Sequence, residues 1–232
     1  SLSVDPSMSA DLERRFNDSS ISARRVEFAA LEDTHEALFD RGWTDGLPVV
    51  PPSEERVTEM LKGTSRSPED IVALIPPDLA PCSVEKVAIN AVMAGCKPEY
   101  LPVVLAGVEA VCTQTFNMHG LLATTMPHAP VLIVNGPITE QIGMNSGNNA
   151  LGQGNRANST IGRAVQLVIR NVGGGRPGEV DRATFGSPGK VGFCFAEREK
   201  DSPWSPISTM YGFPEGTNTV LAFPGEAPRN LI

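Results

Sequence analysis

Long apolar runs are missing from this chain. Its most apolar segment, Val84 to Cys112, is interrupted by Glu85, Lys86, Asn90, Lys97, Pro98, Glu99, Pro102 and Glu109, whereas a membrane helix needs about 20 consecutive apolar residues. Ser1 to Asp18 is rich in Ser and Asp and has no apolar core of the kind a secretory signal needs. Basic runs are missing too. Lys and Arg total 19 against 27 acids, a net charge of −8, which sets nucleic acid aside as a partner. The acidic balance leaves small anionic ligands open, because a local site can be positive inside an acidic protein. The four cysteines, Cys82, Cys96, Cys112 and Cys194, include no CxxC pair. A zinc ribbon or small disulfide scaffold is therefore not expected. Reduced thiols used as small hydrophobes are the expected reading. The chain is expected to be cytoplasmic, with no membrane partner.

What is present suffices for a core: 232 residues, 41% of them apolar. The expected organisation is a polar arm over residues 1–25 and a single α/β domain over 26–232. A helix is expected from Arg24 to Phe39, with Phe28, Leu31, Leu38 and Phe39 on one side. The glycines and prolines of Gly42 to Pro52 forbid a regular helix there. Ser53 opens a helix with Val57, Met60 and Leu61 as its apolar face, and Gly63 ends it. Residues 71–81 carry Ile75-Pro76-Pro77 and Ala80-Pro81 and run extended. Ser83 caps a helix over Val84–Ala94, stopped by Gly95. Pro98 suits the first turn of another, to Cys112. Both are apolar on most sides and belong in the core.

Leu121–Thr125, Pro130–Asn135, Val191–Ala196 and Thr219–Phe223 read as strands. A helix over Ser159–Val172 places Ile161, Ala164, Val165, Val168, Ile169 and Val172 on one face, with Arg163, Gln166 and Arg170 facing away. Interleaved strands and helices predict an α/β fold: a mixed sheet with buried and flanking helices. The sequence stops on Leu231-Ile232 soon after a strand, so the chain is expected to be one part of a longer or cleaved polypeptide, or to complete itself on a partner.

The densest candidate for chemistry is Gly143 to Thr160, with four glycines and five asparagines running into a helix start. Glycine lets backbone N–H groups approach a ligand, and a helix N-terminus favours an anion. Arg156 can clamp a carboxylate or phosphate. Asn145, Ser146, Asn148, Asn158, Ser159 and Thr160 complete this candidate binding set. The competing reading is a structural loop whose asparagines take left-handed turns and cap the helix. Gly152-x-Gly154-x-x-Ala157 is a weak match to a dinucleotide fingerprint, since 16 residues separate it from the strand ending at Asn135.

A second constellation is Cys82-Ser83-Val84-Glu85-Lys86. A cysteine before a helix can become a thiolate, and Ser83-x-x-Lys86 has the spacing of a serine nucleophile and lysine base. A cap and a buried thiol are the plainer reading, with Glu85, Lys86 and Asn90 as a structural network or a pocket lining. Of the histidines His119 and His128, His119 is the better candidate for moving a proton, because Asn117 and Gly120 bracket it. The candidate catalytic residues are therefore His119, Cys82, Glu85 and Lys86, with Cys96 as an alternative thiol. Glu197, at a strand end, is either an acid–base group or part of a solvated charge run. Metal and cofactor stay unassigned.

Three stretches carry a resemblance: Gly42-Trp43-Thr44-Asp45-Gly46-Leu47-Pro48-Val49-Val50-Pro51-Pro52, Val84 to Cys96, and Arg156-Ala157-Asn158-Ser159-Thr160-Ile161-Gly162-Arg163-Ala164. Together they resemble an uncharacterised bacterial group associated with UGSC-type (seleno)proteins, sometimes labelled thioredoxin-like. The Sec/Cys-Gly-Ser-Cys motif that names the group is absent here. The resemblance thus implies that the thiol or selenol belongs to a partner or a neighbouring domain, and that relatives are longer. The functional expectation is an enzyme or enzyme subunit acting on a small anionic or carbonyl-containing compound, as a lyase, hydrolase or thiol-dependent reductase. The alternative is a non-catalytic binding or scaffolding subunit of a UGSC-type complex. Either is expected to be a homo- or hetero-oligomer.

Overall fold

Asp33, Ser53, Ser83, Asn117 and Asn155 each stand just before a helix and accept a backbone N–H from its first turn. That bond satisfies one of the donors a helix start leaves open. The computed structural model describes residues 21–28 and 33–226. The capped helices are α1 (Thr34–Asp40), α2 (Glu54–Leu61), α3 (Val84–Ala94), α5 (Met118–Ala123) and α7 (Arg156–Asn171). A single 3-10 turn, Pro98–Tyr100, leads into α4 (Leu101–Val111). Short helices α6 (Ile138–Gln141) and α8 (Ile207–Met210) flank the later strands. Gly95 ends α3 at φ 89, a left-handed conformation that glycine adopts without a side-chain clash.

The chain is an α/β protein. Strands β3 (Ala129–Asn135), β4 (Cys194–Ala196) and β5 (Thr219–Gly225) form a mixed sheet in the order β4-β3-β5. β3 pairs parallel with β4, Leu132 facing Cys194, and antiparallel with β5, Leu132 facing Ala222. As the central strand β3 is buried along almost its whole length, which is why it reads as a continuous apolar run rather than an alternating one. The segment expected only to be extended is a hairpin: β1 (Ile71–Ile75) and β2 (Ala80–Ser83) pair antiparallel, Ile75 facing Ala80.

α3, α4 and α7 form the helical core, with α3 packed along α7 and α4 between α7 and the sheet. Leu101, Val104, Val108, Ile161, Leu167 and Val168 are fully buried there. At Gly162 the backbone of α7 meets the chain entering β4 so closely that an added Cβ would lie 2.5 Å from Phe193 N. Only glycine fits such an approach.

Several expectations are corrected. Among the described residues, the helix expected from Arg24 begins at Thr34. Residues 24–28 are not helical, Leu31 lies outside the described residues, and Phe39 is exposed. The expected strand at Leu121–Thr125 is helical through Ala123, because Asn117 turns left-handed (φ 55) and accepts from Gly120 N. Met118, Leu121 and Leu122 are then buried at helical spacing. α7 starts at Arg156, three residues before Ser159, with Asn155 as its cap. β4 is shorter than expected, β5 runs on to Gly225, and Arg163, Gln166 and Arg170 are half-buried rather than solvated.

Candidate functional site

The Gly/Asn loop between α6 and α7 is held largely by its own side chains. Asn158 is buried; its Nδ2 donates to Asn145 O at 2.8 Å and Ala150 O at 2.9 Å, and its Oδ1 accepts from Asn145 N at 3.1 Å. Asn145 bonds Asn148 O and Gly147 N, Asn149 bonds Gln153 O, and Asn155 bonds Gly143 O and caps α7. An added Cβ at Gly152 would run into the Asn149 side chain, so the room at that glycine is taken by the loop itself. Arg156 Nε donates to Gly95 O at 2.8 Å, and Thr160 Oγ1 to Arg156 O. Asn148 and Ser159 are exposed and Ser146 is half-buried. The asparagines thus make the turns and the cap that a structural loop requires.

The second constellation sits at the other end of α3. The 11 residues of that helix, about 16 Å at 1.5 Å per residue, separate Glu85 and Lys86 from Gly95, which Arg156 meets. Each candidate there is occupied. Glu85 is 1% exposed and accepts from Ser22 N, Ser22 Oγ and Ala23 N. Lys86 Nζ donates to Pro81 O at 2.8 Å, and Ser83 Oγ caps α3. Burial pushes the Cys82 thiol up to about 12, against the opposing pull of Lys86. Burial likewise raises Cys96 to about 12, although a bond to Thr160 O lowers it, and raises Cys112 to about 11. Cys194 is raised as well, by burial first. A thiol in such a setting is protonated at neutral pH and is a poor nucleophile. His119 stands exposed on α5. Glu197 is tied at the sheet end: its carboxylate accepts from Asn135 Nδ2 and from Ile207 N, while Glu199 accepts from Asn135 Nδ2 and Gly136 N.

Polar groups converge instead on a cavity of about 540 Å³ bounded by α5, the start of β3, the outer stripe of α7 and the segment from 175 to 191. Gln166, Arg170, Asp45, His128, Asp181 and Lys190 line it. Arg163, Gln166 and Arg170 lie at i, i+3 and i+7 and so share one face of α7. Arg163 holds Asp45 through two bonds, Nε to Oδ2 at 2.7 Å and Nη2 to Oδ1 at 2.8 Å, and also donates to Pro48 O at 3.0 Å. Burial alone would raise the Asp45 carboxyl; the two bonds and the charge of Arg163 outweigh it and hold the group below its ordinary value. Lys190 pairs with Asp181 at 3.0 Å and donates to His128 O at 3.3 Å.

Arg170 is different. Its Nε is buried with no hydrogen-bond partner, and among the described residues no carboxylate lies within ion-pair distance of its guanidinium. Arg176 Nε is also buried and unpartnered, but that side chain does not line the cavity. Among the described residues no group of three His, Cys, Asp or Glu side chains is placed to hold a metal ion, and no helix is long and apolar enough to cross a membrane.

Sequence reasoning names none of the cavity's side chains as a leading candidate and prefers His119 to His128. The available signal is two arginines and a glutamine on one stripe of an amphipathic helix. In the sequence that stripe reads as a solvated face, because the covering segment, 175–191, has no regular pattern. No protein-family model, no curated protein and no solved structure matches the chain.

Proposed function

We propose that the protein is an enzyme or enzyme subunit acting on a small anionic or carbonyl-containing compound, with the anion held by Arg170 in the α7 cavity rather than by the Gly/Asn loop. The observation that carries this reading is Arg170 at the cavity, its Nε buried without a hydrogen-bond partner and no carboxylate within ion-pair distance among the described residues, beside two satisfied ion pairs. A charge held partly out of water gains from a partner, and an arginine fork presents two parallel donors to a carboxylate or phosphate. The cavity has the dimensions of small-molecule sites, roughly 300–1,000 Å³. His128 supplies an imidazole for proton transfer, and Thr184 a hydroxyl, at the same cavity.

The test is thermal stabilisation of the full chain by small carboxylates, phosphate esters and aldehydes. Arg170→Gln removes the stabilisation while Arg156→Ala, at the loop, leaves it. The converse result returns the anion to the loop, and no stabilisation by any anion refutes the reading.

A second reading, a binding or scaffolding subunit, draws on Trp204 and Met210, 79% and 81% exposed, with Tyr211 and Phe213 exposed beside them. Exposed apolar side chains gathered in one segment favour a protein partner. Native mass spectrometry of the protein from its own host separates the two: a second chain supports this reading, and a homomer carrying a bound small molecule supports the first.

A further inference from the structure

The charge balance and the walls of the α7 cavity narrow the ligand class, given the reading of Arg170 as the anion seat. Asp45 is matched by Arg163 and Asp181 by Lys190. Among the described residues Arg170 is therefore the one lining charge left over, and the cavity is complementary to a single negative charge. A dianion would bring a second charge into a partly enclosed space where the described residues offer no free cation for it, at a desolvation cost that nothing there offsets. The guanidinium of Arg170, at the cavity wall, suits the two oxygens of one carboxylate.

Part of the remaining wall is apolar, beside the polar Gln166, His128, Thr184 and Ser187. Met118, Leu121 and Leu122 of α5 and Val191 line that part, while Phe185 borders the same cavity with its side chain 99% exposed. A phenylalanine in water at the edge of an apolar wall gains stability if a ligand's apolar body covers it. We propose that the cavity takes a monocarboxylate carried on an apolar body, with the carboxylate on Arg170 and the body lying between the α5 wall and Phe185.

Isothermal titration of the full-length chain with acetate, butanoate, hexanoate, succinate and inorganic phosphate tests this. Burying each methylene strengthens binding by about fourfold, so hexanoate is expected to bind at least about tenfold more tightly than acetate. Succinate and phosphate are expected to bind more weakly than hexanoate by a similar factor. Arg170→Gln abolishes all of this, and Arg170→Lys, a point charge without the fork, recovers part of it. Phe185→Ser, at an exposed position where folding is safe, flattens the dependence on chain length.

Arg170-dependent binding in which phosphate or succinate equals hexanoate, or in which hexanoate gains nothing over acetate, overturns the ligand class and leaves the anion seat standing. No anion binding, or binding that Arg170→Gln and Arg170→Lys both leave intact in variants that melt like the parent, overturns both.

Discussion

Asp45 and Arg163 join parts of the chain that lie 118 residues apart, and only 14% of each side chain is exposed. Through this pair the Gly42–Pro52 segment is fastened to the polar stripe of α7. Asp45→Asn leaves the guanidinium poorly matched in a half-buried setting and is expected to cost about 2–3 kcal/mol in urea unfolding at pH 7. The folded-state pKa of Asp45 lies below the ordinary 3.8, so its contribution is complete above that pH. It is lost as pH falls from there through the lowered folded-state value. The Asp45→Asn variant should therefore show a shallower acid loss of stability than the parent; parallel acid limbs would remove the ion pair from the account. At the same scale, the raised thiols predict slow alkylation. Cys82, Cys96 and Cys194 are buried and Cys112 is half-buried, so iodoacetamide at pH 7 should modify Cys112 first and the other three only on unfolding. Rapid labelling of Cys82, read by mass spectrometry, would restore it as a candidate nucleophile.

Elements whose signals lie within a dozen residues were legible in the sequence. Ser53 and Ser83 cap the helices expected of them, Gly95 stops α3, and α3 and α4 are core helices as their all-round apolarity requires. α5 was not legible, because the three-residue apolar run Leu121–Ala123 fits strand and helix alike and the left-handed turn at Asn117 decides between them. The cavity was not legible because it depends on separations of tens of residues: Met118, Gln166 and Lys190 meet only after α5, α7 and the 175–191 segment have packed. Whether Arg170 has a partner is a property of that packing, not of its neighbours in sequence.

The contacts of α7 give two tests at this scale. Gly162→Ala drives a methyl into the Phe193 backbone and should cost about 1–3 kcal/mol; an unchanged denaturation midpoint would mean that α7 and β4 can part freely. Asn158→Ala removes three hydrogen bonds from the Gly/Asn loop and should cost about 2–3 kcal/mol, with faster hydrogen exchange confined mainly to residues 143–155. Faster exchange spread over α3 and α4 would mean that the loop holds the core rather than itself.

At the scale of the whole molecule, Ser22 and Ala23 are part of how the core is closed. α3 is buried on nearly all sides, and Glu85 lies within that burial at its first turn. The carboxylate has no basic side chain within ion-pair distance among the described residues. Its compensation comes from chain 62 and 63 residues earlier, as two backbone N–H groups and one hydroxyl from Ser22 and Ala23. Hydrogen bonds to an ionised group are among the stronger ones, so this contact should hold the segment as firmly as a packed side chain would. Glu85→Gln keeps the shape but turns one acceptor into a donor that faces the N–H groups of the arm. The expected loss is about 2–4 kcal/mol of stability. Amide exchange at Ser22 and Ala23 should speed up at least about tenfold, and trypsin should cut sooner after Arg24 and Arg25. If exchange at 22 and 23 is unchanged while global stability falls, Glu85 acts within the core alone and the arm lies there for another reason. If both change together, residues that read as a polar appendage in the sequence complete the electrostatics of a helix some sixty residues away.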